Sequence, residues 1–489
     1  MNIRQFLEHY GISENPFADE EASTDPIFKG YGIDHAFHPA WDKIFGKPEE
    51  PATSVVFGEK GSGKTAMRLQ MVRRLAAYNS EHPDGRVFVI PYDDFNPFID
   101  RFREKSWRKN PDRMFQSWQV RDHIDAILSL GTTQLVDRVL KVEQSRHPAV
   151  LGVEDLSVKK LSAPQSRDLM LLAMLYDQSS DENRPDRWKK LARLLRFRTF
   201  STGFPLAFGI LVTLLLPLVL TMGLKFSAGS VLTSLWFWLA LAAGWGWWVV
   251  RFVYCVWKAG ILRKSMRPLE HNRQMLRQIL ARFPAKKLAD QPLPLGDSSD
   301  ARYSLLSKFQ SILATLGFPG VLVLVDRVDE PYQINGVPER MKEFIWPILD
   351  NKLLKHSGMG FKLLLPGELN GFVLRENEEF RQRARLDKQN LVASFQWTGQ
   401  SLYDLANTRI AGCVPPGNPV TPLEDFFDAD VGRDFLVNSF QSVGVPRRLF
   451  KLMYQVIVNH ANLYTENDPV WTISRSTFLS TLADIQKNT

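Results

Sequence analysis

Apolar and polar positions follow two recurring patterns along the chain. Short apolar runs, bounded by polar or turn-forming residues, have the length of β-strands. Between them lie longer stretches in which apolar residues recur with helical period. The run at 321–325 consists of five consecutive aliphatic residues, which is typical of a parallel strand buried on both faces. The pattern therefore predicts an α/β fold with a central, mostly parallel sheet.

The same pattern predicts where the elements lie. Strands are expected at 54–57, 86–91, 320–325, 361–365 and 391–395. Helices are expected at about 34–45, 66–76, 122–142, 165–192, 269–283, 303–316 and 401–410, and most of the chain after Pro419 reads as helical. Residues 1–34 show no such period and are expected to form an arm with one hydrophobic anchor at Phe17.

Two adjacent stretches depart from this pattern because they contain no charged residue. They cover 199–224 and 226–250 and are separated by Lys225. Each exceeds the ~20 residues that a helix needs to cross ~30 Å of hydrocarbon. The alternative, a helical hairpin buried in a soluble core, is disfavoured by two such runs in succession. We therefore predict a multi-pass membrane protein with two transmembrane helices, at about 199–224 and 226–250.

The distribution of charge predicts how this hairpin is oriented. The net charge is +8, and eleven basic residues with no acidic ones lie in 187–198 and 251–267, just outside the pair. Basic residues concentrate on the cytoplasmic side of a membrane, so both soluble parts are expected in the cytoplasm, with the flanks against lipid headgroups. No acidic residue, Lys or Arg lies inside either span, which favours an anchor or signal coupler over an ion pathway. Two cysteines fit a reducing compartment.

The segment 58–65, Gly-Glu-Lys-Gly-Ser-Gly-Lys-Thr, fits the phosphate-binding pattern G-x-x-x-x-G-K-[ST]. It follows an apolar strand and precedes a helix, which is the context that the pattern requires. Glycines let backbone N–H groups surround a phosphate at a helix N-terminus, the lysine reaches the terminal phosphates, and the threonine hydroxyl ligates Mg²⁺. The predicted nucleotide-binding residues are Gly58, Glu59, Lys60, Gly61, Ser62, Gly63, Lys64 and Thr65.

A second candidate site residue follows the strand at 320–325. Asp326 stands at the carboxyl end of that strand, where an aspartate can bind Mg²⁺ through water. Downstream, a Gly-Val-Pro-Arg-Arg turn at 444–448 places Arg447 and Arg448 in the first turn of a predicted helix. Positive charges there oppose the helix dipole, which is expected only where they face an anion.

Together these segments resemble the P-loop ATPases that carry an additional strand and a catalytic glutamate, in particular origin-recognition-like AAA+ and STAND proteins. A transmembrane hairpin between the two nucleotide-binding halves is similar to that of KAP NTPases. The resemblance covers about 35–130 and 300–460 and implies ATP and Mg²⁺ as cofactors. It implies an N-terminal arm (1–34), the first half of the core (35–145), a helical insertion with the hairpin (146–298), the second half of the core (299–400) and a C-terminal helical lid (401–489).

The resemblance also implies roles for individual residues. Thr65 and Asp326 match the Mg²⁺ ligands, and Arg447 matches a lid arginine that contacts phosphate. Arg327 stands where the family usually has an acidic base, so Asp329 or Glu330 remain as candidates, with Glu330 slightly favoured.

Other family positions are less well matched. Glu368 or Asn370 would take the polar position after the strand at 361–365, and Arg385 or Arg409 could supply an arginine finger.

The predicted function is that of a slow, membrane-anchored ATPase acting as a nucleotide-dependent switch or assembly factor, in signalling or defence. A homo-oligomer and a protein partner of unknown identity are expected. The alternative is a membrane-tethered AAA+ protein that handles DNA in replication or plasmid maintenance. Few basic residues after position 450 disfavour nucleic acid as a partner.

Overall fold

The computed structural model describes residues 1–107, 109–142, 156–179, 183–201, 203–223, 228–349, 352–384, 386 and 391–487. The chain divides into two compact units. The first comprises the described residues of Met1–Phe95 and Gly320–Thr489, and the second those between Asn96 and Pro319. Two segments far apart in sequence thus build the first unit together.

The first unit contains a five-stranded sheet in which every pairing is parallel, as the apolar pattern predicts. Its order is β2-β3-β4-β1-β5. Every residue of β1 to β4 is buried, which explains why these strands read as continuous apolar runs. The strands are Ser54–Gly58 (β1), Val87–Tyr92 (β2), Gly320–Val325 (β3), Met359–Pro366 (β4) and Leu391–Val392 (β5).

Strand β5 is shorter than the predicted 391–395. Only Leu391 and Val392 pair with β1, beside Val55 and Val56. The carbonyl of Ala393 instead accepts a hydrogen bond from the Asn370 side chain, at 3.1 Å. Beyond this point the backbone N–H of Phe395 donates to the Phe57 carbonyl at 2.8 Å, so the chain still contacts β1 without extending the strand.

Helices cover the sheet of the first unit. The helix Lys64–Glu81 packs Met67, Met71 and Leu75 against the inner face of the strands. The helices of this unit are Ile3–His9, Ile33–His35, Trp41–Phe45, Lys64–Glu81, Pro338–Leu349, Glu368–Arg375, Glu378–Arg383, Gly399–Gly412, Arg433–Val443, Pro446–Leu463 and Arg475–Lys487, with a π-helix at Phe28–Gly32 and 3₁₀ turns at Lys352–Lys355 and Leu423–Phe426.

The N-terminal segment differs from the predicted arm. Phe6, Leu7, Ile12 and Phe17 are all buried in one hydrophobic cluster with the helices after 399, so the segment is part of the C-terminal core. The single helix predicted at about 34–45 is also wrong. It is interrupted by Pro39, because proline cannot donate the backbone hydrogen bond and disfavours helix at the preceding residue.

All regular secondary structure among the described residues of the second unit is helical. The helix predicted at 165–192 is two helices, Ala163–Tyr176 and Arg184–Leu194. The others are Asn96–Lys105, Pro111–Phe115, Val120–Leu140, Gly203–Leu218, Ala228–Thr233, Leu235–Ser265, Arg273–Arg282, Ala285–Leu288 and Asp300–Thr315, with a 3₁₀ turn at Val158–Lys160 and a π-helix at Val219–Gly223.

Buried ion pairs join the helices of this unit. Arg302 donates Nε–H to both carboxylate oxygens of Asp125, at 2.9 and 3.0 Å, and neither side chain is exposed. Arg187 is equally buried and pairs with Asp137 and Asp177. Since a buried charge without its partner is costly, these pairs fix the relative positions of the helices that carry them.

The predicted pair of spans is only partly confirmed. One helix, Leu235–Ser265, is long and apolar enough to cross a membrane by length and composition, and most of it is exposed. It begins nine residues later than predicted and continues fifteen residues further, through Arg251. The preceding apolar run forms a shorter helix, Gly203–Leu218, which changes to a π-helix just after Pro217.

These two apolar helices pack closely at two glycines. A Cβ on Gly209 would lie 2.9 Å from the Trp245 ring, and one on Gly244 would lie 2.7 Å from Val212. Trp245 also donates its indole N–H to the Thr213 hydroxyl, at 2.9 Å. Gly246, on the same helix, lies outside this contact, because a Cβ added there would meet nothing within 4 Å.

Candidate functional site

The carboxyl ends of the parallel strands β1, β3 and β4 lie at the same edge of the sheet, and a cavity of about 1330 Å³ lies there. Strand β1 leads into the loop 58–65, β3 into Asp326, and β4 into Glu368. Ligands of open parallel sheets bind outside this edge, where successive loops diverge. All residues that line the cavity belong to the first compact unit.

The loop 58–65 has the conformation that its glycines permit. Gly61 and Gly63 have φ angles of +85° and +95°, a region that L-residues with side chains rarely adopt. The helix that starts at Lys64 has Gly63 as its N-cap, and that residue provides no side-chain cap. The first backbone N–H groups of the helix therefore have no carbonyl acceptor within the helix. The residues of this first turn, Lys64, Thr65 and Ala66, line the cavity.

Inside this loop, Ser62 is fully buried and its hydroxyl has no hydrogen-bond partner among the described residues. Its carbonyl accepts a hydrogen bond of 2.8 Å from the indole N–H of Trp397. Trp397 thus holds the loop from the side of the C-terminal helices. The Ser62 hydroxyl does not line the cavity; it lies against Gly58, where an added Cβ would be 2.6 Å from it.

Lys64 is mostly buried and its ammonium group donates to the carbonyls of Gly58 and Glu59, at 2.7 and 2.9 Å. Burial lowers the pKa of Lys64, and the carboxylates of Asp326, Asp329 and Glu368 oppose that shift. The Lys64 ammonium group therefore makes hydrogen bonds only to uncharged carbonyls of the loop among the described residues. The three carboxylates stabilise its positive charge electrostatically.

The carboxylate of Asp326 connects β3 to the helix after the loop. Its Oδ2 accepts from the Thr65 hydroxyl at 2.9 Å and from Arg68 Nε at 3.2 Å. Arg68 also pairs with Asp93, at the end of β2, at 2.8 Å. Burial raises the pKa of Asp326, and the Arg68 charge is the largest effect that lowers it again. Arg68 was not singled out from sequence, because only the fold brings it between two aspartates.

The turn after Asp326 is tight and strained at one residue. Arg327 has φ +61°, which is uncommon for a residue with a side chain. Its guanidinium lies 3.6 Å from the carboxylate of Glu330, whose side chain is 58% exposed. Desolvation raises the pKa of Glu330, and Arg327 counteracts it. Asp329 and Glu330 both line the cavity, and Asp329 is the less exposed of the two.

The two arginines at the start of the helix Pro446–Leu463 lie against the loop. The backbone N–H of Arg447 donates to the Gly61 carbonyl at 3.3 Å, and a Cβ on Gly61 would meet the Arg447 side chain at 2.6 Å. Arg448 lies 3.7 Å from the Glu59 carboxylate. Arg447 lies 3.7 Å from the Glu20 carboxylate, so each arginine has a carboxylate of this chain as its neighbour.

A wall of the cavity comes from the N-terminal segment, which sequence reasoning did not include in the site. His38 is held by its Nε2 to the Gln396 carbonyl at 3.0 Å, and burial lowers the pKa of His38 to about 4. Its ring stacks on Phe395 at 3.8 Å. The N-terminal residues on this wall are Glu20, Glu21, Ala22, Ser23, Asp25, Ile27, Phe28, Gly32, Ala36 and His38.

Most of the predicted site residues line this one cavity. They are Lys60, Gly61, Gly63, Lys64, Thr65, Asp326, Asp329, Glu330 and Arg447. Gly58 and Glu59 instead line a smaller groove of about 550 Å³, and Ser62 is fully buried within the loop.

The sequence suggested four further site residues, Glu368, Asn370, Arg385 and Arg409, and they differ in whether their side chains are already paired within the chain. Glu368 lines the cavity, whereas Asn370 is bound to Ala393 and lines the smaller groove. Arg409 is 4% exposed and pairs with Asp25, so it is committed within its own chain. Arg385 lies outside the described residues.

No family model, curated protein or solved structure matches this chain.

Removal of Arg68 tests the link between Asp326 and Asp93. We expect Arg68→Ala to destabilise the protein by about 3 kcal/mol, because it leaves two partly or fully buried carboxylates without a counter-charge. Arg73→Ala, on the same helix, is the matched control, since Arg73 is 63% exposed and 3.5 Å from Asp34. Thermal unfolding of the detergent-solubilised chain measures both. Equal unfolding temperatures for Arg68→Ala and the wild type would contradict the assignment.

Proposed function

We propose that this protein is a membrane-anchored P-loop ATPase that works as a slow, nucleotide-dependent switch. The observation that supports it best is the cavity at the sheet edge, where the loop 58–65, Asp326 and Arg447 meet. The position of β4 between β1 and β3 also supports the resemblance, because an additional strand at that place gives this group of ATPases its name.

The residues around the loop fit a polyphosphate. The left-handed glycines leave backbone N–H groups free to turn toward an anion, and the uncapped helix end at Gly63 adds its positive dipole. Lys64 is bound only to neutral carbonyls at its ammonium group, so a phosphate oxygen can replace them with a stronger, charge-assisted bond.

A bound Mg²⁺ ion would supply positive charge to the terminal phosphates. Thr65 and Asp326 would hold it, since their oxygens already lie 2.9 Å apart. Arg68 would fix the orientation of the Asp326 carboxylate, and Lys64 with Arg447 would supply further positive charge to the phosphates. The N-terminal wall and the C-terminal helices would exclude water from the rest of the nucleotide.

Nucleotide binding is tested with the full chain in detergent. Lys64→Ala should weaken binding of a non-hydrolysable ATP analogue by about ten-fold or more, because a charge-assisted hydrogen bond to phosphate is lost. Lys47→Ala removes an exposed lysine that does not line the cavity and should leave the affinity unchanged. Unchanged affinity for Lys64→Ala, or no binding by the wild type, would refute the proposal.

The residue that activates water is proposed to be Asp329. Sequence slightly favoured Glu330, but the Glu330 side chain is 58% exposed and lies beside Arg327. Asp329 lines the cavity and does act on Lys64. A base must lie close to the phosphates and keep its lone pairs available, and Asp329 meets the first condition better.

Hydrolysis in a single turnover distinguishes these two carboxylates. Asp329→Asn should slow the step by about a hundred-fold, the usual contribution of a general base, while binding of the ATP analogue stays within a factor of two. Glu330→Gln should change the rate much less. A larger loss for Glu330→Gln than for Asp329→Asn would reverse the assignment.

The sheet places a condition on membrane crossing. Strands β1 and β2 precede the helix Leu235–Ser265, and β3, β4 and β5 follow it, yet all five form one sheet. The chain must therefore cross a membrane an even number of times between β2 and β3. If Leu235–Ser265 crosses, a second segment crosses back, and the uncharged stretch 203–223, which packs against it at Gly209 and Gly244, is the candidate. We therefore propose two spans, with the soluble parts in the cytoplasm.

Thiol labelling tests this topology in intact cells. The native Cys255 and Cys413 are both buried, so the wild type defines the background. A cysteine at Gly229, which is exposed between the two apolar helices, should react with a membrane-impermeant reagent added from outside. A cysteine at Lys47 should react only after lysis. Labelling of both cysteines only after lysis would exclude the two-span arrangement.

A further inference from the structure

One buried arginine fixes both ends of a loop formed by residues 16–25. Arg409 donates Nε–H to the Pro16 carbonyl and pairs with the Asp25 carboxylate. Asp25 in turn accepts from the backbone N–H groups of Ile27 and Phe28, at 2.9 and 3.1 Å. The middle of this loop, residues 20–23, is thereby held at the wall of the cavity.

Glu20 points from this loop to two cations of the helix Pro446–Leu463. Its Oε2 lies 3.7 Å from Arg447 Nε and 3.6 Å from Lys451 Nζ. The Glu20 side chain is 34% exposed, and those of Arg447 and Lys451 are 28% and 54% exposed. The contact is thus partly screened by water and can open without unfolding the loop.

Arg447 also faces the proposed phosphate site. Its side chain packs on Gly61, in the middle of the 58–65 loop. Arg447 and Lys64 line the same cavity. The Nε–H of Arg447 makes no hydrogen bond within the described residues. Although Arg447 pairs with Glu20, its Nε–H can therefore still donate a hydrogen bond to an anion that lies in a better position.

We propose that Glu20 determines whether the site prefers a nucleoside triphosphate or a diphosphate. The Glu20 carboxylate occupies Arg447 and Lys451 as an anionic substitute for a terminal phosphate. A triphosphate must displace it to reach Arg447, whereas a diphosphate lacks the group that competes and leaves the contact intact. This inference rests on the proposed nucleotide function and concerns the discrimination between nucleotides at that same site.

Equilibrium binding of a non-hydrolysable ATP analogue and of ADP, both with Mg²⁺, tests the proposal on the full chain. Glu20→Gln should raise the affinity for the triphosphate analogue about two- to five-fold, the effect expected from one partly exposed ion pair. The affinity for ADP should change by less than that. In an Arg447→Ala background most of the gain should disappear, because the cation for which the two anions compete is absent.

Asp19→Asn is the matched control, since it removes the same charge one residue away at a side chain that does not line the cavity. It should leave both affinities unchanged. The proposal is overturned if Glu20→Gln changes both nucleotides equally, weakens the triphosphate, or acts equally with and without Arg447. If the wild type binds neither nucleotide, the proposed function fails instead, and the two failures are thereby distinguished.

Discussion

The parallel pairing of β1 with β4, and of β2 and β4 with β3, is the constraint on which the rest of this structure depends. These strands come from two parts of the chain separated by more than 220 residues, and each is buried along its whole length. Because parallel strands end at the same edge, the pairing alone brings the loop 58–65 next to Asp326. The contact of Thr65 with Asp326, 261 residues apart in sequence, is its direct consequence.

Arg68 shows how the fold makes a charged site tolerable. Two aspartates at the ends of neighbouring strands would repel each other in a buried place, and the guanidinium between them removes most of that cost. The same contact holds one oxygen of Asp326 toward Thr65. Stability and the geometry of the carboxylate proposed to bind Mg²⁺ thus depend on one side chain, which lies one helical turn after the loop.

The N-terminal segment gives the cavity a wall that is not part of the sheet. Hydrophobic residues of 6–27 pack with the helices after 399, and Arg409 ties the loop at 16–25 to the same group. The site is therefore enclosed by the two ends of the chain, while the strands supply its floor. A cavity built in this way can change at its wall without disturbing the sheet, which is compatible with the nucleotide-dependent switch that we propose.

The sequence by itself determined the strands, the glycine-rich loop and Asp326, because each depends on local chemistry: apolar runs of strand length, glycines at fixed spacing and a carboxylate directly after a buried strand. It also located an apolar helix long enough for a membrane, although the bounds moved because Arg251 and the residues after it continue the same helix. The two-residue β5 and the break at Pro39 were decided by neighbours and by proline geometry. Arg68 between two aspartates, Glu20 beside Arg447 and the buried Arg409 were decided only by the tertiary structure. Their roles depend on which charges come together across long sequence separations. Strand pairing and helix packing decide this, and a pattern of adjacent residues cannot predict it.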